Sequence, residues 1–168
     1  MTRKGVDLLP AILESLGDDF ELHYTGGPAA ARLKSSMPPN MHDIGRLAGD
    51  IAVAAAMQQA DALLFPSRSE GHPLVAIEAM ACGLPVIGMQ GSSVSEAVTH
   101  GETGLMCPRD DVTALVDAVR DLAEHTQRRA AMAHTARSSA VAHFSEATML
   151  DAYLHLYDQI GPSRESAT

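Results

Sequence analysis

The 168-residue chain has no tryptophan, three tyrosines and three phenylalanines. With alanine and methionine abundant, this scarcity favours close helix–sheet packing over aromatic binding surfaces. Cysteine is nearly absent too. Cys82 and Cys107 sit far apart, with no C-x-x-C spacing, so neither a zinc site nor a disulfide scaffold is suggested. A reducing, cytoplasmic setting is the expected one. Basic residues are few, 12 Lys and Arg against 21 Asp and Glu, and the net charge of −9 suits neither a nucleic-acid backbone nor an anionic membrane. No stretch approaches the roughly 20 apolar residues that span a bilayer. The opening Met1-Thr2-Arg3-Lys4-Gly5 leads into a short amphipathic segment, so a signal peptide is not expected.

The remainder has the composition of a globular domain. Apolar residues make up 46% and charged residues 20%, enough apolar material for a core, which excludes wholesale disorder. The length fits one domain, expected over residues 1–160 with a polar tail at 161–168.

Short apolar runs alternate with helical patterns. Leu22 to Thr25, Met41 to Ile44, Ala62 to Phe65, Pro85 to Gly88 and Gly104 to Pro108 read as strands. Between them, Val6 to Leu16, Ile51 to Gln59, Pro73 to Cys82 and the stripe Val112, Leu115, Val116, Val119, Leu122 read as helices. Pro73 at a first helical position and Gly83 just past the end are the usual asymmetry of helix termini, and Asp110 or Asp111 is the expected N-cap of the later helix. Arg128–His143 and Glu146–Ile160 add helices without strands. The alternation predicts an α/β fold, a Rossmann-like open parallel sheet with helices on both faces and extra C-terminal helices. The chain opens on a helix, so the first strand of such a unit is missing.

The informative stretch is Pro66-Ser67-Arg68-Ser69-Glu70-Gly71-His72-Pro73-Leu74-Val75-Ala76-Ile77-Glu78. It leaves a strand, crosses a polar loop and enters a helix. Open parallel sheets bind ligands at the carboxyl ends of their strands, and a helix N-terminus there offers free N–H groups to a phosphate. Glu78 lies one to two turns into the helix and leans back toward its start. Carboxylates accept well from sugar hydroxyl pairs, so a ligand with a central diphosphate and a sugar at each end fits this layout. On spacing alone, Glu78 reads equally as a solvated helix residue and Glu70 as a loop charge.

The wording of the segment adds to the spacing. Ala60-Asp61-Ala62-Leu63-Leu64-Phe65-Pro66-Ser67, then Glu70-Gly71-His72-Pro73-Leu74, then Glu78-Ala79-Met80-Ala81-Cys82-Gly83-Leu84-Pro85-Val86-Ile87 resembles the C-terminal domain of group 1 glycosyltransferases. These are retaining enzymes of GT-B fold, related to sucrose synthases and phosphatidylinositol mannosyltransferases. Lys4-Gly5-Val6-Asp7, Thr25-Gly26-Gly27-Pro28, Ile44-Gly45-Arg46 and the stretch from Glu96 to Leu105 follow in family order, so the resemblance spans about Arg3 to Tyr157.

The resemblance implies that Glu70 contacts hydroxyls of the transferred sugar as the catalytic-site carboxylate, and that Glu78 holds the ribose. It implies backbone N–H groups from Gly71, Leu74 and Val75 for sugar and phosphate, and Lys4, helped by Arg3, to neutralise the diphosphate. Gly26 and Gly27 would let the backbone approach phosphates or base, and Ile44 and Arg46 would border the base. His72 either touches the sugar or shapes the loop. Pro73 stands where many relatives have glycine, removing one N–H donor. The resemblance also implies an absent N-terminal acceptor domain, through which any membrane contact would run.

The expected partner is a nucleotide-sugar donor, with no nucleic acid, cofactor or metal. No Asp-x-Asp occurs, and lysine with a helix N-terminus can replace a divalent ion at a diphosphate. His23, His42, His100, His125, His134, His143 and His155 show no ligand spacing and read as scattered surface residues. The serines lack a G-x-S-x-G turn. The leading expectation is therefore the donor-binding domain of a retaining hexosyl transferase, a fragment inactive alone. A nucleotide-sugar epimerase domain and a stand-alone nucleotide-binding module remain as alternatives.

Overall fold

The computed structural model describes residues 2–25 and 37–160. The tail expected over 161–168 lies outside them. Five short strands follow one another: β1 (Leu22–Tyr24), β2 (Met41–Asp43), β3 (Leu63–Phe65), β4 (Val86–Met89) and β5 (Gly104–Cys107). A 3-10 turn at Val6–Leu8 opens into α1 (Leu9–Leu16), and α2 (Asp50–Gln58) and α3 (Leu74–Ala81) flank β3. They are followed by α4 (Val94–Ala97), α5 (Val112–Glu124), α6 (Thr126–Phe144) and α7 (Glu146–Ile160).

Every ladder is parallel, as the strand–helix alternation predicts. Among the described residues, however, the strands form two ladders, β1–β2 and β3–β4–β5, and not one continuous sheet. The two parts are joined by a helix and not by backbone bonds. Leu9 and Leu13 of α1 pack with Met41, Leu22 and Tyr24, while Ile12 of the same helix enters the core of the larger sheet. Leu64 of β3 touches both clusters.

The larger sheet has helices on both faces, because alternate residues of its strands point to opposite sides. Ile87, Met89, Leu105 and Cys107 face α1 and α5, where Leu115, Val116 and Leu122 cover them. Val86 and Met106 face the other way, onto Ala76, Ala79 and Met80 of α3 and Ala136 and Ala140 of α6. All residues of β4 and β5 are buried, the signature of strands covered on two faces. The alanines let α3 and α6 approach closely. Both cysteines are free, and burial, with Asp111 and Asp117 nearby, pushes the Cys107 thiol up to about 11, which fits a packing role.

The helix ends follow local chemistry. Asp111, one of the two expected caps, accepts from the Ala114 N–H at 2.9 Å. Gly83, in the left-handed region at φ +76°, ends α3 as predicted. Pro73 falls one place earlier than expected. It occupies the N-cap position with ψ 60°, and the helix proper begins at Leu74. The four-residue α4 escaped the sequence reading because one turn is too short to show a period. No described helix is long and apolar enough to cross a membrane. None of α7's residues is buried, and Met149, Leu150, Tyr153, Leu154, Tyr157 and Ile160 stand exposed along it.

Gly104 provides a test of how tightly β4 and β5 are set. A Cβ there would lie 2.2 Å from the Val86 carbonyl oxygen and 2.7 Å from a Val98 methyl. Gly104→Ala should therefore destabilise the fold by about 1–3 kcal/mol. Urea denaturation would show this as a lowered midpoint at unchanged slope. An unaltered midpoint would mean that the backbone gives way freely at this site.

Candidate functional site

The loop between β3 and α3 is anchored by an unusual side chain for a loop, the buried guanidinium of Arg68, 6% exposed. Its Nη1 and Nη2 donate to the two carboxylate oxygens of Asp7 at 2.8 and 3.1 Å, and its Nε donates to Asp110 at 2.6 Å. Nη1 also reaches the Thr2 carbonyl at 2.6 Å. Three segments distant in sequence are thereby tied at one point. Donation from Arg68, then from the Thr2 hydroxyl, holds the Asp7 carboxyl well below the usual carboxylate range, overriding a smaller upward push from burial. Donation to Asp7 likewise raises the Arg68 guanidinium above its ordinary value. Asp110 takes the left-handed φ of +61°, the only non-glycine among the described residues to do so.

This anchor lays the Thr2–Gly5 segment alongside the Ser67–Glu70 loop. The Arg68 N–H donates to the Arg3 carbonyl at 2.9 Å. Gly5, at φ +67°, passes so close to Pro66 that a Cβ would stand 1.8 Å from its carbonyl oxygen. Only glycine fits there. The next residue back, Lys4, is thereby aimed across the loop, and its Nζ meets Glu70 Oε1 at 2.6 Å. The Ser67 hydroxyl donates to the same oxygen at 2.5 Å, and the Ser93 hydroxyl donates to the Glu70 carbonyl at 2.8 Å. The Glu70 side chain is 8% exposed and that of Lys4 52%, so a buried acid faces an accessible base. Burial pushes the Glu70 carboxyl up, but donation from Lys4 and Ser67 and the charges of Lys4 and Arg3 together outweigh it and set the group below its ordinary value.

The first turn of α3 begins immediately beyond. No side chain caps it. The Leu74 N–H turns to the His72 carbonyl at 3.0 Å, and the N–H groups of Gly71, His72 and Val75 have no protein acceptor among the described residues. Gly71, His72, Leu74 and Val75 are all exposed, and space beside Gly71 is open. Glu78 is exposed on the same helix, between the buried Ile77 and Ala79. Lys4, Arg3, Glu70, Gly71 and the start of α3 thus form one cluster. Ile44 and Arg46 are exposed after β2, with no hydrogen bond or ion pair to that cluster among the described residues. Gly26 and Gly27 lie outside the described residues.

Two surface concavities, of about 480 and 400 Å³, are lined by Tyr24 with residues between Met37 and Asp43, and by residues between His100 and Arg128. Neither is lined by Lys4, Glu70 or Glu78. Arg68, Asp7 and Asp110 were not apparent from sequence, because a loop arginine reads as solvated until its carboxylates are brought from elsewhere. The histidine reading needs a correction as well. Parallel pairing sets His23 opposite His42 with Glu21 beside them, so those three are not scattered.

A parallel sheet covered by helices on both faces is a Rossmann-like arrangement, and it matches halves of solved GT-B glycosyltransferases. Solved structures share the fold. The sucrose-phosphate synthase of Thermosynechococcus elongatus matches with a TM-score of 0.82 at 26% identity, over 94% of this chain and 42% of that one. Anabaena HepE, solved with UDP-glucose, matches with a TM-score of 0.82 at 20% identity, over 94% and 46%. The chain belongs to the family of group 1 glycosyl transferases, whose model matches residues 1–125. It is 32% identical over 133 residues to a D-inositol 3-phosphate glycosyltransferase of Paenarthrobacter aurescens, covering 77% of this chain and 31% of the relative. It is 31% identical over 155 residues to a GDP-mannose-dependent α-(1-6)-phosphatidylinositol monomannoside mannosyltransferase of Mycolicibacterium smegmatis, covering 77% and 38%. The chain therefore spans about a third of the length of these curated relatives.

The Arg68 anchor carries a pH signature. Because the folded Asp7 value is depressed, its contribution is fully present above the unfolded carboxylate value of about 3.9 and is lost as pH falls toward the folded value. Asp7→Asn should lower Tm at neutral pH. The gap to the unaltered chain should stay constant down to about pH 5 and narrow below about pH 4. Thermal melts across that range would check it; a gap that persisted undiminished to strong acid would show that the Asp7 charge is not what is lost.

Proposed function

We propose that the chain is the donor-binding half of a retaining glycosyltransferase that moves a hexose-type sugar from a nucleoside diphosphate sugar to an acceptor held by a second, N-terminal domain. The observation that carries this reading is the placement of Lys4 against Glu70 beside the uncapped start of α3. A cation, free N–H groups and a buried carboxylate within one loop are what a sugar diphosphate requires. The UDP-glucose in the Anabaena HepE structure and the GDP-mannose in the mycobacterial relative's name support the donor class.

In this reading the diphosphate lies at the N–H groups of Gly71 and Val75, with Lys4 and Arg3 offsetting its charge. Only one oxygen of Glu70 is engaged by Lys4 and Ser67, so the other is available to hydroxyls of the sugar. When the bond from the anomeric carbon to the diphosphate oxygen breaks, negative charge grows on the leaving phosphate. The lysine and the helix N-terminus stabilise it without a metal ion, and the acceptor hydroxyl forms its bond on the face the diphosphate left while its proton passes to the departing phosphate oxygen. Glu78, a turn further along α3, accepts from the ribose hydroxyls. Ile44 and Arg46 border the base, and His72 faces the sugar. The two free cysteines fit a cytoplasmic setting.

Two features support a second domain over a stand-alone binding module. Lys4 and the start of α3 are exposed to solvent, whereas sugar transfer calls for exclusion of water and a positioned acceptor. The exposed apolar residues of α7 form a face that a neighbouring domain would cover.

The experiment is a titration of UDP and GDP into the chain with and without EDTA. Binding should be unchanged by the chelator, and binding seen only with added Mg²⁺ would overturn the metal-free diphosphate site. Glu78→Ala should keep its fold, since alanine is the better helix former. It should weaken nucleotide binding by about 1.5–3 kcal/mol, on the order of ten- to a hundredfold in Kd. Equal affinity would leave Glu78 as a surface residue. Incubated with its best-bound nucleotide sugar and an acceptor panel, the chain alone should release nucleotide slowly and form no glycosylated product. An acceptor site within this chain would be indicated by such product.

A further inference from the structure

We infer that Glu21, His23 and His42 form a zinc site on the outer face of the β1–β2 pair, apart from the donor cluster. The parallel register pairs His23 with His42 directly across the ladder. Strand periodicity puts Glu21, two residues before His23, on the same face. The ligand atoms of all three lie within 4.8 Å of one another. Glu21 Oε2 and His23 Nε2 are 3.3 Å apart, and the two rings meet edge to face with centroids 5.5 Å apart.

The separations suit the ion. Zinc–nitrogen and zinc–oxygen bonds of about 2.0–2.2 Å in a tetrahedron separate neighbouring ligand atoms by about 3.4 Å. The 3.3 Å Glu21–His23 pair already has that spacing, and a small side-chain rotation would bring His42 to it. Two imidazoles and one carboxylate are a donor set that zinc takes readily, with water in the fourth position; the hard ions Mg²⁺ and Ca²⁺ prefer oxygen alone. His23 and Glu21 are more than half exposed, so an ion can enter from solvent. A bound cation would tie β1 to β2 where no helix does so on that face among the described residues.

The test uses the tag-free, metal-stripped chain titrated with ZnCl₂ by calorimetry. One saturable site is expected, with a rise in Tm at saturating zinc. Loss of an outer-shell partner of a metal ligand already costs roughly 10–100-fold in affinity, so His23→Ala or His42→Ala should each weaken binding at least about tenfold and abolish the Tm rise. Because both side chains are exposed, the variants should melt like the parent when zinc is absent. CoCl₂ should give a visible d–d band in the parent and not in the double variant, and MgCl₂ should give no saturable heat. Saturable zinc binding retained by H23A/H42A, or no saturable binding by the parent, would overturn the site.

Discussion

The placement of the Lys4–Glu70 cluster depends on one buried guanidinium. Arg68, in the loop after β3, is surrounded by a carboxylate and a carbonyl from the chain's start and a second carboxylate from the loop before α5. A buried cation is tolerated only with such partners, since an isolated one would carry a large desolvation cost. The requirement works in both directions. Asp7 and Asp110 are held where they are by the arginine, and the Thr2–Gly5 strip is held against Pro66 and Ser67 by the same contacts. Lys4 reaches Glu70 because its neighbours have nowhere else to go. Glycine at position 5 is the steric half of that arrangement, and the ion pairs are the electrostatic half.

A second constraint is the division of the alternate residues of β4 and β5 between two cores. Ile87 and Met89 on one side and Val86 and Met106 on the other leave no exposed face on either strand. The carboxyl-end loops are consequently the places where the sheet can meet a ligand, and α3 starts at one of them. Its first turn is exposed while the rest of the helix is wedged between β4 and α6. A rigid support therefore carries an exposed helix start, and the opposite arrangement prevails on α7, whose apolar residues stay exposed among the described residues.

Most of this architecture is legible in the sequence because it is written in short-range patterns. Apolar runs such as Ala62 to Phe65 and Pro85 to Gly88 mark buried strands, and Pro73 with Gly83 brackets α3. The family motif is legible for the same reason: Glu70, Gly71 and Glu78 lie within one contiguous segment. What could not be read depends on which distant segments meet. Nothing near Arg68 announces Asp7 or Asp110. The partner of His23 is His42 only because β1 and β2 are parallel and in that register, and a shift by one residue would separate them. The break between the ladders is equally non-local, since each strand reads as a normal parallel strand by itself. The α4 turn failed for the opposite reason, being too brief for any pattern.

The two ends of α3 present different fields on a chain of net charge −9. Arg137, reaching over from α6, donates to the Ala81 carbonyl at the helix's last turn. The partial negative pole is thus met by a cation, while the partial positive pole at Val75 has no capping side chain. The helix behaves as a one-ended source of potential. Its quenched end cannot cancel its open end, so an approaching anion meets a local positive field within an overall repulsive one. Such a field acts only at short range in physiological salt, where screening sets in over about 8 Å. Distance thereby becomes a filter: only an anion small enough to come within a turn of Val75 would meet that field, and a bulky polyanion would meet the acidic remainder of the surface.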